Sequence, residues 1–148
     1  MRTFSTIDFG RRLERSAGNP PAHLNFSPMA DVLVVDDEAL IRWSVAESLE
    51  AAGHRVAEAA TARETLDLLT AGAHPSVVIL DLKLPDSSDL GLLRRVRALA
   101  PACRIVLMTA HGTAEVLDEA RRAGAFDVLT KPFEMSRVVN IVRAAAAH

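Results

Sequence analysis

Three acidic residues, Asp36, Asp37 and Glu38, directly follow a run of four apolar residues, VLVV at 32–35. One acid at the end of such a run is an ordinary helix cap. Three together repel one another unless positive charge is expected among them. Other apolar runs also lead to reactive side chains: VVILD (77–81) ends in Asp81, RIVLM (104–108) is followed by Thr109, and FDVLT (126–130) by Lys131. Singly, each has a plain structural use: Asp37 as a helix cap, Asp81 as a turn cap, Thr109 as a strand residue, Lys131 as a solvated charge. Together they make a hard, oxygen-rich site. Mg²⁺ prefers clustered carboxylates, with water and phosphate completing its octahedron. With metal and the Lys131 ammonium neutralising charge, one carboxylate can attack phosphorus and form an acyl phosphate. Such a transfer needs mainly positioning and charge stabilisation. Lys131 is one of only two lysines among 17 basic residues, so a compact point charge stands where this chain otherwise uses arginine.

These residues meet only if the apolar runs are strands of one sheet ending at one edge. Five short runs, VLVVD (32–36), RVAEA (55–59), VVILD (77–81), RIVLM (104–108) and FDVLT (126–130), start every 22 to 27 residues. Each interval carries a helical stripe. Ile41, Val45, Leu49 and Ala52 share one face ahead of Gly53. Thr61 and Glu64 form a capping box before Leu66 and Leu69. Leu92, Val96 and Leu99 make the third stripe; Val116, Ala120 and Ala123, closed by Gly124, the fourth; Val138, Val142 and Ala145 the fifth. Strict strand–helix alternation predicts an α/β doubly wound parallel sheet with helices on both faces. The first and third strands are apolar throughout, as central strands are, whereas RVAEA suits an edge. In such a sheet ligands bind outside the carboxyl ends of the strands, where all these reactive residues fall.

In order and spacing, VLVVDDE, VVILDLKLPD, VLMTAHG and GAFDVLTKPF resemble the receiver domain of bacterial two-component response regulators, over about residues 31–147. ALIRWS and MTAHG look most like receivers of nitrogen-regulator-type activators. The resemblance implies a flavodoxin-like strand order 2-1-3-4-5 and Mg²⁺-dependent phosphorylation of Asp81 that shifts the domain between inactive and active conformations. It implies that Asp37 binds Mg²⁺ directly and Asp36 mainly through water, with Asp81 and the Lys83 backbone carbonyl as further ligands. Lys131 would contact the phosphoryl group, the Thr109 hydroxyl would turn toward it, and the Lys131–Pro132 peptide would be cis. The donor would be a sensor histidine kinase or phosphotransfer protein. The target would bind the face made by the fourth helix, fifth strand and fifth helix, with homodimerisation left open. Such a receiver is a cytoplasmic phosphoacceptor rather than an enzyme with turnover. Two positions depart from the pattern. The aromatic residue usual three before the lysine is Val128, and the glycine usual eight after the phosphoacceptor is Asp89, a residue that tolerates unusual backbone angles.

Two rival readings weigh less. A phosphatase of the haloacid-dehalogenase class needs a second aspartate two residues after its nucleophile, where this chain has Lys83. A phosphorylation-independent interaction module is favoured only by Val128. A net charge of −2 argues against direct nucleic-acid or membrane-surface binding. The single cysteine, Cys103, excludes an internal disulfide, and no apolar run reaches the roughly 20 residues of a membrane span. The sequence after the fifth helix leaves no room for an output module, which fits a stand-alone receiver or a truncated one.

Residues 1–29 lack periodicity, end in the breaker-rich SAGNPPAHLNFSPM, and carry Arg2, Arg11, Arg12 and Arg15 against Asp8 and Glu14. They are expected to be a mobile N-terminal extension to a receiver domain at 30–148, and Met29 would serve equally as a start. Without an apolar pattern, nothing offsets an ordering cost of about 1–2 kcal/mol per residue. A chain beginning at Met29 is therefore expected to melt at the same temperature as the full chain and to label equally well with a phosphodonor, both measured side by side.

Overall fold

The computed structural model describes residues 29–147, so all of the expected extension except Met29 lies outside the described residues. The five apolar runs form strands β1 (Asp31–Val35), β2 (Arg55–Ala59), β3 (Val77–Asp81), β4 (Arg104–Thr109) and β5 (Asp127–Thr130). Between and after them lie helices α1 (Ala39–Ala51), α2 (Ala62–Thr70), α3 (Gly91–Leu99), α4 (Ala114–Arg122) and α5 (Met135–Ala146). All strands pair in parallel in the order β2-β1-β3-β4-β5, the expected doubly wound arrangement. The more polar RVAEA strand is indeed an edge. No described helix is long and apolar enough to cross a membrane.

Side-chain alternation along the strands divides the core in two. Leu33, Val35, Val78, Leu80, Ile105 and Leu107 bury one face against α2, α3 and α4 through Leu69, Leu93, Val96 and Ala120. Val32, Val34, Ile79, Val106, Met108 and Leu129 bury the other against Val45 and Leu49 of α1 and Val138 and Val142 of α5. Each fully buried aliphatic side chain contributes about 1.5–3 kcal/mol, so both faces hold the sheet firmly while its ends are left to loops.

Register decides what those ends present. Val35 pairs with Leu80, which sets Asp36, one residue beyond β1, level with Asp81 at the end of β3. Thr109 pairs with Thr130, which sets Lys131 just past the same edge. The helices start and stop where local chemistry dictates. Thr61 Oγ1 accepts from the Glu64 amide at 3.0 Å, as the capping box predicts, and Thr113 Oγ1 accepts from the Val116 amide at 3.3 Å. Gly53 and Gly124, with φ of 98° and 102°, take the left-handed conformation that ends α1 and α4. Asp89 does not use unusual backbone angles, since no described residue other than glycine has positive φ. Its carboxylate accepts instead from the Gly91 amide at 2.8 Å, so side-chain capping at the start of α3 takes the place of a flexible turn.

At the opposite end of the sheet, the buried His54 accepts the Ala30 amide on Nδ1 at 3.0 Å, pinning the start of β1. Burial, and then the Arg143 charge, push its pKa below the ordinary histidine value. The folded state therefore requires neutral His54. Its contribution is complete above the unfolded-state pKa and is lost as pH falls below it. The melting temperature is expected to drop as pH falls below the ordinary histidine value of about 6.5. His54→Gln, which keeps an acceptor without a titration, is expected to flatten that part of the pH–melting curve.

Candidate functional site

The carboxyl edge of the sheet opens into a cleft of about 640 Å³, lined by Asp37, Asp81, Lys83, Thr109, His111 and Lys131 among others. β1 delivers Asp36 and Asp37, β3 delivers Asp81, β4 Thr109 and β5 Lys131. Asp36 is wholly buried and Asp81 nearly so, whereas Asp37 is exposed. Ligand oxygens of these three carboxylates lie within 4.8 Å of one another.

Lys131 holds this cluster together. Its ammonium donates to Asp36 Oδ2 at 3.0 Å and to Asp81 Oδ2 at 3.1 Å, with Glu38 Oε1 3.7 Å away. Burial alone would lower the lysine pKa, yet its bonds and charge pairing with Asp36 and Asp81 outweigh that and raise it. Burial, and then repulsion from Asp36, push the Asp81 carboxyl above the usual carboxylate range; bonds from Lys131 and from the Lys83 amide partly offset this. One ammonium between two buried carboxylates leaves a net negative, all-oxygen cavity. That donor set suits a hard divalent cation such as Mg²⁺.

The loops around the cluster are tied by their own backbone. The second oxygens are taken by amides: Asp36 Oδ1 accepts from Glu38 at 2.9 Å and Asp81 Oδ1 from Lys83 at 3.2 Å. Arg42 donates to the Asp36 carbonyl at 2.7 Å and to Glu58 Oε1 at 3.1 Å, securing the turn from below. The Lys131 amide donates to the Thr109 carbonyl at 2.7 Å, and the Thr109 hydroxyl accepts from the His111 amide at 3.1 Å. The Lys131–Pro132 peptide is cis. Val128 lies in the core with 5% exposure, packed on the α2–α4 side of the sheet.

All of the candidate residues therefore converge except Val128, which faces the core, and Pro132, which is exposed beyond Lys131. Two contributors escaped the reading of the sequence. Glu38 approaches Lys131, and the run of three acids was the available signal. Asp86 accepts from the Ala62 and Arg63 amides at 2.8 and 3.0 Å, anchoring the β3–α3 loop to the start of α2. Those amides, and chiefly Ala62, hold its carboxyl below the usual range although it is exposed. Nothing local marks this contact, because its partners lie 24 and 23 residues away.

Residues 32–143 match the family profile of the response regulator receiver domain. The chain is 34% identical over 115 residues to the DNA-binding transcriptional regulator NtrC of Klebsiella pneumoniae, covering 78% of this chain and 24% of that one. It therefore spans about a quarter of the length of the NtrC relatives. It is 30% identical to sporulation initiation phosphotransferase F of Bacillus subtilis, covering 76% of this chain and 90% of that protein. Among solved structures, the receiver domain of NtrX from Brucella abortus superposes with a TM-score of 0.73 at 35% identity, covering 79% of this chain and 98% of that one.

Proposed function

The chain belongs to the response regulator receiver domain family of two-component signalling, and from that premise we propose that Asp81 is its phosphoacceptor. The observation that carries the assignment is the position of Asp81. It ends a central strand, borders the cleft, and shares the Lys131 ammonium with Asp36.

In this reading an Asp81 carboxylate oxygen attacks the phosphorus of a phosphohistidine or a small acyl phosphate. The new O–P bond forms as the bond to the donor breaks, and the donor leaves with that electron pair. Asp36, Asp37, Asp81 and the Lys83 carbonyl are the residues that would hold Mg²⁺, which when bound offsets negative charge on the phosphoryl oxygens. Lys131 already points its ammonium at Asp81 and follows the charge onto the phosphoryl group. Thr109 supplies a hydroxyl whose oxygen accepts from the His111 amide and whose own O–H remains to donate. The acyl phosphate carries about two negative charges where one stood before, so both donors gain a stronger partner.

We further assign the donor to a histidine kinase or phosphotransfer protein. Such a partner must reach the cleft beside Glu38, which immediately precedes α1. There Leu40 and Trp43 stand 75% and 53% exposed, an apolar seat next to the phosphorylation site. The downstream target, in this proposal, reads the face of α4, β5 and α5.

Incubation with acetyl phosphate and Mg²⁺ is expected to give an acid-labile label on the wild-type chain. Asp81→Asn keeps the shape but lacks the nucleophile, and is expected to lose that label. Retained labelling of the variant at the same site would refute the assignment. The burial of Val128 leads to a second expectation. Val128→Ala removes two methyl groups from the core and is expected to cost about 2 kcal/mol in denaturant unfolding. It should nevertheless leave intact a phosphorylation response whose largest amide shifts fall at residues 109–120.

A further inference from the structure

Gly112 lies in the loop between β4 and α4, and its φ is not positive, so backbone conformation does not call for glycine there. Space does. A methyl group added at this position would collide with Thr130 Oγ1 and lie 3.2 Å from both Thr130 Cβ and Cγ2. Thr130 is exposed, so turning it about χ1 can move Oγ1, but its Cβ stays 3.2 Å from the added methyl and part of the conflict persists in every rotamer. The loop backbone therefore rests directly on the Thr130 side chain.

This contact closes a short circuit of residues around the site. Thr130 ends β5, pairs with Thr109 across the sheet, and precedes Lys131. The Lys131 amide is bound to the Thr109 carbonyl. The Thr109 hydroxyl is bound to the His111 amide, one residue before Gly112. From Thr109 the chain can thus be followed through His111 and Gly112 onto Thr130, into Lys131, and back to Thr109. Both groups proposed to contact the phosphoryl group belong to the circuit, and Gly112 on Thr130 joins its loop to its strand. Val128, the neighbour on β5 two residues earlier, is buried in the core and takes no part.

We propose that Thr130 is a positioning residue: its contact with Gly112 holds the Thr109 hydroxyl and the Lys131 ammonium in mutual register over Asp81. The inference rests on the phosphoacceptor reading and adds to it the element that aligns the two donors. It also explains how loop and strand stay coupled with valine at position 128. Motion of the loop toward a phosphoryl group must carry Gly112 across Thr130, so the shape of residue 130 enters the response.

The test uses the full chain with acetyl phosphate and Mg²⁺. Gly112→Ala is expected to reduce the maximal labelling rate about tenfold, because the added methyl must displace the loop or Thr130 and with it the Thr109 hydroxyl or the Lys131 ammonium. The Mg²⁺ concentration for half-maximal labelling should not change, because Asp36, Asp37 and Asp81 are untouched. Adding Thr130→Ala to Gly112→Ala removes Oγ1, the one colliding atom, and Cγ2, leaving only the Cβ contact at 3.2 Å, and is expected to restore most of the rate. A Gly112→Ala chain that labels at the wild-type rate, or a double variant as slow as the single one, overturns the proposal. Should Gly112→Ala fail to fold, Thr130→Ala alone decides. It is expected to slow labelling about threefold by loosening the loop, and a wild-type rate overturns the proposal. A wild-type chain that takes no label overturns the phosphoacceptor reading and this proposal with it; a labelled wild type with indifferent variants overturns only the latter.

Discussion

One ammonium group serves two buried carboxylates, and the carboxyl edge of the sheet is organised around that shortage of positive charge. Lys131 reaches Asp36 and Asp81 at almost equal distances, from the strand farthest from β1 in the β1-β3-β4-β5 run. Burying two carboxylates so close together is costly unless each finds a partner. Lys131 and the amides of Glu38 and Lys83 satisfy them, but the balance remains negative. An acidic, oxygen-rich pocket of this kind suits a hard divalent cation.

That arrangement depends on the parallel sheet. Parallel strands bring all their carboxyl ends to one edge, so four separate stretches of sequence, the ends of β1, β3, β4 and β5, together contribute five side chains. The two cores hold the strands in register to within a residue, and a slip by one would send Asp36 or Asp81 to the other face. The loops beyond the edge are fixed by side chains more than by glycine. Asp86 caps α2 from the β3–α3 loop, Asp89 caps the start of α3, and Arg42 braces the turn that carries the acids. Rigid strands supply the reactive groups, while capped loops hold the backbone amides around them.

Passing a signal outward requires something that moves, and here the usual aromatic position is filled by a core valine. Val128 has no polar tip and little exposure, so it has nothing to exchange between core and solvent. The β4–α4 loop is better placed to respond. It starts at Thr109, whose hydroxyl already bonds the loop's own His111 amide, and it leads into α4 with Glu115 in the first turn and Arg121 and Arg122 in the last. Its backbone rests on Thr130, beside the lysine that answers the same charge. Two neighbouring elements thus meet beside Asp81, the proposed phosphoacceptor.

Periodicity and residue type were enough to foretell the alternation of strands and helices, the central and edge strands, the Thr61–Glu64 cap and the convergence of Asp36, Asp37, Asp81, Thr109 and Lys131. These depend on local pattern and on a topological rule that places strand ends together, and both are written along the chain. Contacts between distant residues were not readable in the same way. Asp86 on the α2 amides, Arg42 under the Asp36 turn and Gly112 against Thr130 join segments whose separation carries no period. Asp89 shows the limit most clearly. Its identity suggested tolerance of a strained turn, yet the folded chain keeps ordinary angles there and uses the carboxylate as a cap. The sequence states which groups are available, but how each one is used depends on which neighbours packing brings within hydrogen-bonding distance.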